Sequence, residues 1–173
     1  MRKARDLLGL PVVFVETGKR AGHAKDLLIN DIWNVQGVIL EVKHWFSPLR
    51  YIPWENIIAC GTDAITIPNK NAIQSLEDMN PYFALIGGKY RLKGLPVITV
   101  NGQELGLVED VYLEPNVGKQ IIGYELSEGF ISDLKDGRKW LPTPQQATRG
   151  EDAIMVPVHC IEELEEIFVP KEE

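Results

Sequence analysis

The chain is poor in the residues that staple a fold together. It has two cysteines and three histidines in 173 residues, which is no basis for a disulfide framework, and neither cysteine sits at the spacing of a paired-cysteine metal site. Long apolar runs are also missing. None reaches the roughly 18 residues that a membrane-crossing helix needs, and Leu7-Leu8-Gly9-Leu10, behind the basic Arg2, Lys3 and Arg5, is broken by Pro11 before it becomes a signal-peptide apolar region. A cytoplasmic protein is therefore expected. Basic charge is scarce as well: the net charge is -7, with nine basic and nine acidic residues before position 81 and nine basic against sixteen acidic after it. Proteins that hold nucleic acid by neutralising phosphates concentrate Lys and Arg on one surface. Nucleic acid is thus not the expected partner. No phosphate-binding glycine loop or nucleophile motif occurs, and the 45% hydrophobic content matches an ordinary globular chain.

What is present is a repeat. Gly9-Leu10-Pro11-Val12-Val13 returns as Gly94-Leu95-Pro96-Val97-Ile98, and the landmarks downstream of each copy follow in the same order. Asp26 recurs as Asp110, Gly37 as Gly123, Ile52-Pro53 as Leu141-Pro142, and Asp63-Ala64-Ile65 as Asp152-Ala153-Ile154. Each unit is long enough to close its own core. Within a unit, short runs rich in branched and aromatic residues alternate with glycine turns, giving about six strands at the spacing of a small barrel. Ile73, Leu76 and Met79, and again Ile161, Leu164 and Phe168, fall at helical spacing. The expected fold is all-β with short helices: two tandem small β-barrels, each followed by a short helix. The first repeat spans residues 1–79, a connector 80–91, and the second repeat 92–173. Apolar Tyr82, Phe83, Leu85 and Ile86 make the connector a packed segment and not a loose tether.

Candidate sites are few. His23, His44 and His159 occupy non-equivalent positions, and His159-Cys160 is the only adjacent histidine–cysteine pair; two ligands do not hold a metal, so no metal or cofactor is expected. Cys60 and Cys160 are read as buried or half-buried reduced thiols. The recurring aspartates belong to two copies of one environment and are read as structural. Aromatics gather in the first repeat, where Trp33, Trp45 and Phe46 fall in or beside loops at strand ends, with Trp54 nearby. Large aromatics are enriched at interaction hot spots, so Trp33, Trp45 and Phe46 form the candidate protein-interaction site, the alternative being that they plug a barrel end or pack between barrels. The repeats diverge most at Ser127 to Arg138, a charged hairpin where the first repeat has Glu41 to Leu49.

The Gly-Leu-Pro-Val-Val opening, the glycine and aspartate of Gly22 to Asp26, Ile52-Pro53 before a turn and Gly61 to Ile65, with their second copies, resemble the PRC-barrel family across nearly the whole chain. The resemblance is closest to tandem two-barrel bacterial members of uncharacterised function. It implies small β-barrels used for protein contacts and brings no catalytic residues. The family also includes the cytoplasmic domain of the photosynthetic reaction-centre H subunit and the C-terminal domain of a ribosome maturation factor. The expected function is accordingly a non-catalytic protein-interaction adaptor with a still unidentified protein partner. The alternative is a ribosome- or RNA-associated maturation factor, which a compact basic patch containing Arg2, Lys3, Arg5, Lys19, Arg20 and Lys25 would favour.

Overall fold

The structure, a computed structural model, describes residues 2–42, 49–79, 82–115, 119–128 and 138–167. Trp45, Phe46, most of the charged Ser127 to Arg138 hairpin and the tail from Phe168 onward lie outside the described residues. Strands dominate. The first half contains β1 (Arg2–Lys3), β2 (Pro11–Phe14), β3 (Arg20–Ile29), β4 (Val35–Glu41), β5 (Arg50–Pro53), β6 (Ala59–Cys60), β7 (Ile65–Ile67) and β8 (Gln74–Ser75). The connector carries β9 (Phe83–Ala84) and β10 (Tyr90–Arg91). The second half has β11 (Pro96–Thr99), β12 (Glu104–Leu113), β13 (Ile121–Ser127), β14 (Arg138–Pro142), β15 (Thr148–Arg149), β16 (Ile154–Val156), helix α1 (Cys160–Glu163) and β17 (Glu165–Ile167).

Two sheets result, with one strand order written twice: β6-β7-β2-β3-β4-β5-β8 and β15-β16-β11-β12-β13-β14-β17. In each, the opening strand pairs antiparallel with the long second strand and parallel with the last core strand, as Val12 faces Ile65 and Val97 faces Ile154. These parallel pairs wrap each sheet around its core. Period-two alternation sets the inward side chains: Ile65 and Ile67 are buried around Thr66, and Ile154 and Val156 around Met155. Glycine is required where strands crowd. A Cβ on Gly106 would lie 2.8 Å from the Ser127 carbonyl oxygen, and one on Gly22 would meet that of Glu41.

The expected helix after each barrel is only partly present. After β7 comes a 3-10 turn, Lys70–Ala72, then β8 and a second turn, Glu77–Met79; after β16 comes the four-residue α1, then β17. Starting a helix fixes several dihedrals for one hydrogen bond, whereas pairing satisfies an edge already formed. So β8 lies along β5, and β17 along β14. Leu76 still reaches an apolar cluster, with Leu28, Ile39 and Ala84.

The two halves exchange their leading segments. β1 pairs with β12, placing Lys3 opposite Tyr112, although it precedes the first repeat; β9, which precedes the second, pairs with β3 through Ala84 and Leu28. The recurring aspartates hold these segments. Asp26 accepts N–H bonds from Leu27, Leu85, Ile86 and Gly87 at 2.8 to 3.1 Å, and Asp110 accepts them from Val111 and Arg5. The first residues of the expected 1–79 unit therefore sit on the second sheet. Covered on both faces, the Asp26 to Ile29 end of β3 and the Asp110 to Leu113 end of β12 are buried at every residue. One continuous core cluster runs through both halves, from Leu27 and Ile52 to Val111 and Leu141.

Candidate functional site

Three places concentrate chemistry, and the first is the joint between the barrels. The turn Asn30 to Asn34 is tied by Asn30, whose Oδ1 accepts from the Ile32 and Asn34 amides. It holds Trp33 at φ 61°, a conformation that costs a bulky residue about 1–3 kcal/mol. Burial offsets that cost: Trp33 is 7% exposed and packs edge-on against Tyr124 at 5.2 Å. The Trp33 carbonyl accepts from Ile121, and the Val35 amide donates to Lys119. Arg149 closes the joint from the other side, donating to the Ile29 and Asn30 carbonyls with its guanidinium 3.6 Å from the Phe83 ring centre. Burial pulls the Arg149 pKa down. The Trp33 ring thus packs into the joint, as in the other reading of these aromatics, in which they pack between the barrels. The structure does not bring Trp45 and Phe46 to it, because both lie outside the described residues.

The second place is a charged network on the outer face of the second barrel. Glu125, 2% exposed, lies 3.1 Å from Lys3 and 2.7 Å from Arg138, and the Tyr112 hydroxyl donates to it at 3.4 Å. Burial alone would raise its pKa, but Arg138 and Lys3 outweigh that and hold the carboxyl below its ordinary range. Tyr112 is pushed up to about 12 by burial and the neighbouring Glu125. Asp110 lies 3.2 Å from the Arg5 Nε, and burial raises its pKa. In the first barrel the same strand positions hold Leu28, Ile39 and Ala84, and the site is apolar. Lys3 and Arg5 are therefore engaged inside the chain, and Arg2 donates to the Cys60 and Gly61 carbonyls. Three of the six basic residues of that patch thus make contacts within the chain, with the Lys3 and Arg5 side chains still 34% and 46% exposed.

The third place is a cavity of about 490 Å³ on the second barrel, lined in part by Thr143, Gln145, Gln146, His159 and Glu163. It has a simple origin. Thr143 follows Leu141-Pro142 where Trp54 follows Ile52-Pro53, so the first barrel places an indole against its core where the second places a small hydroxyl side chain. The buried Thr143 hydroxyl on its wall lies beside that of Tyr124. Beside them, donor atoms of His159, Cys160 and Glu163 all lie within 4.8 Å of one another. Cys160 is fully buried, and burial with nearby Glu163 raises its thiol pKa. The sequence signal for this trio was the spacing of residues 159, 160 and 163 on one helical turn, hidden because only the histidine–cysteine neighbours stand out.

With the doubled strand order and the paired aspartates in view, comparison with known families is decisive. The PRC-barrel domain profile matches residues 1–74 and again residues 88–159. The chain belongs to the PRC-barrel family. Among curated proteins, "Uncharacterized protein YrrD" of Bacillus subtilis (strain 168) is 27% identical over 139 residues, covering 80% of this chain and 77% of that protein. In this PRC-barrel chain, no helix among the described residues is long and apolar enough to cross a membrane.

Proposed function

We propose that this tandem PRC-barrel protein is a non-catalytic protein-interaction adaptor of the cytoplasm, docking its partner on the end of the first barrel that points away from the joint. The supporting observation is topological. The joint takes up Ile29 to Val35, and β3 and β4 run from there to the opposite end, where His23 faces Glu41. That end gathers the hairpin with Val15, 57% exposed, together with Val42 and Leu49, the latter 40% exposed. In the sequence, Trp45 and Phe46 fall between Val42 and Leu49. Exposed apolar side chains such as Val15 and Leu49 on one end suit a protein contact better than scattered ones, and Trp45 and Phe46 are the aromatics proposed as its anchors. The second barrel offers Val100, 69% exposed, at the equivalent hairpin, but its sequence has Asp133, Lys135 and Asp136 in the stretch that corresponds to Glu41–Leu49. The two ends would select different surfaces.

The test is affinity capture from native cell extract with the intact chain and with a Trp45→Ala, Phe46→Ala double variant matched for thermal stability. One retained protein, reduced at least tenfold by the double variant, supports the adaptor. Ribosomal material retained by both proteins, or a captured partner unaffected by the variant, rejects this docking end.

A further inference from the structure

We infer that His159, Cys160 and Glu163 form a binding site for one divalent transition-metal ion of the zinc class, with an open coordination position facing the second-barrel cavity. This inference is independent of the adaptor reading. Three observations carry it. First, the donor set is suitable: imidazole, thiolate and carboxylate favour zinc-like ions over magnesium or calcium, and neutral histidine with two anionic ligands balances a doubly positive charge. Second, the geometry is nearly closed. The His159 Nε2 lies 3.8 Å from the Glu163 Oε1, and all three donors are within 4.8 Å of one another. Tetrahedral zinc with bonds of about 2.0–2.3 Å needs donors about 3.4–3.7 Å apart. The side chains of His159 and Glu163 are 64% and 42% exposed, so rotamer changes can bring them in, while buried Cys160 provides the fixed ligand.

Third, the surroundings are prepared for something polar. Three protein ligands leave a fourth position, as in open zinc sites, and His159 and Glu163 also line the cavity. Across it, the buried Thr143 hydroxyl lies beside that of Tyr124. A threonine hydroxyl can donate one hydrogen bond and accept two, so Thr143 keeps capacity for a metal-bound water beyond its contact with Tyr124. Among the described residues, the first barrel has no such donor trio. Its corresponding turn, Lys70-Asn71-Ala72, supplies no histidine, cysteine or carboxylate, and Trp54 stands in the place of Thr143.

The full chain, freed of metal by a chelator under reducing conditions, is titrated with cobalt(II), then zinc(II) as competitor. The expected result is one cobalt per chain with a sulfur-to-cobalt charge-transfer band, displaced by zinc. Cys160→Ser abolishes the band, Cys60→Ser leaves it intact, and His159→Gln and Glu163→Gln each weaken binding at least tenfold. The last two change exposed side chains and read the site even where Cys160→Ser does not fold. No charge-transfer band at saturating cobalt, a band lost in Cys60→Ser, or affinity unchanged in both His159→Gln and Glu163→Gln overturns the site.

Discussion

Glu125 shows how one residue can join two barrels. It lies on the second sheet but takes one of its cations, Lys3, from the segment before the first repeat. Removing a carboxylate from such a pair leaves the cations without an anion, which costs several kcal/mol in a dry site. Here Lys3 and Arg138 are each 34% exposed, so water takes over part of the loss, and Glu125→Gln is expected to cost about 2 kcal/mol at neutral pH. The pH dependence has a definite sign. A depressed carboxyl pKa contributes stability above the ordinary glutamate value of 4.5, and that contribution is lost as pH falls through the folded value. Asp26 and Asp110 run oppositely: burial raises them, so their contribution is full below the ordinary 3.8 and is lost as pH rises through the folded value. Both aspartates remain in the variant. Denaturant unfolding of wild type and Glu125→Gln across acid pH should therefore show the stability gap closing below 4.5; a constant gap would show that the charge pair is not its source. The aspartates could be picked out in the sequence because they recur, whereas Glu125 could not. Its counterpart is Ile39, and Lys3 reaches it only through the fold.

Strands were more legible than helices. Alternation and glycine turns mark β2 to β7 and their copies, because each strand's burial pattern is local. The segments after each barrel carry a helical period, yet β5 and β14 present edges that no local pattern reveals, and extended pairing takes the residues that periodicity assigns to a helix. The same limit hid the leader exchange, since two-residue strands such as β1 have no period. Their importance can be measured. Removing residues 1–6 takes away fully buried Ala4, the Lys3–Glu125 and Arg5–Asp110 ion pairs and the pairing to β12. A loss of about 3 kcal/mol follows from those contributions. Local opening should concentrate where cover is lost. Hydrogen exchange is expected to rise at least tenfold in β12 while β3, still covered by β9, keeps its protection. Equal acceleration in both strands would show that β1 stabilises the molecule only globally.

At the scale of the molecule, the exchange makes one chain resemble a dimer of its own halves. Each half supplies a segment that the other lacks, the Asn34–Gln120 bridge joins their sheets, and Trp33 and Arg149 fill the joint from opposite sides. The covalent link should therefore be dispensable once the chain has folded, because the contacts across the joint bury aromatic and aliphatic surface continuous with the core. A protease site inserted at residues 80–81 allows the link to be cut in the folded protein. After cutting, the halves are expected to elute together at the volume of the intact chain and to separate only in denaturant. Trp33→Ala removes the ring packed on Tyr124, and truncating such a central aromatic typically costs 2 kcal/mol or more, roughly thirtyfold in affinity. The cut variant should consequently dissociate at protein concentrations where the cut wild type does not. Halves that part under native conditions without any substitution would mean that the barrels are tethered neighbours, and the exchanged segments would then be local lids on each sheet instead of the bond between them.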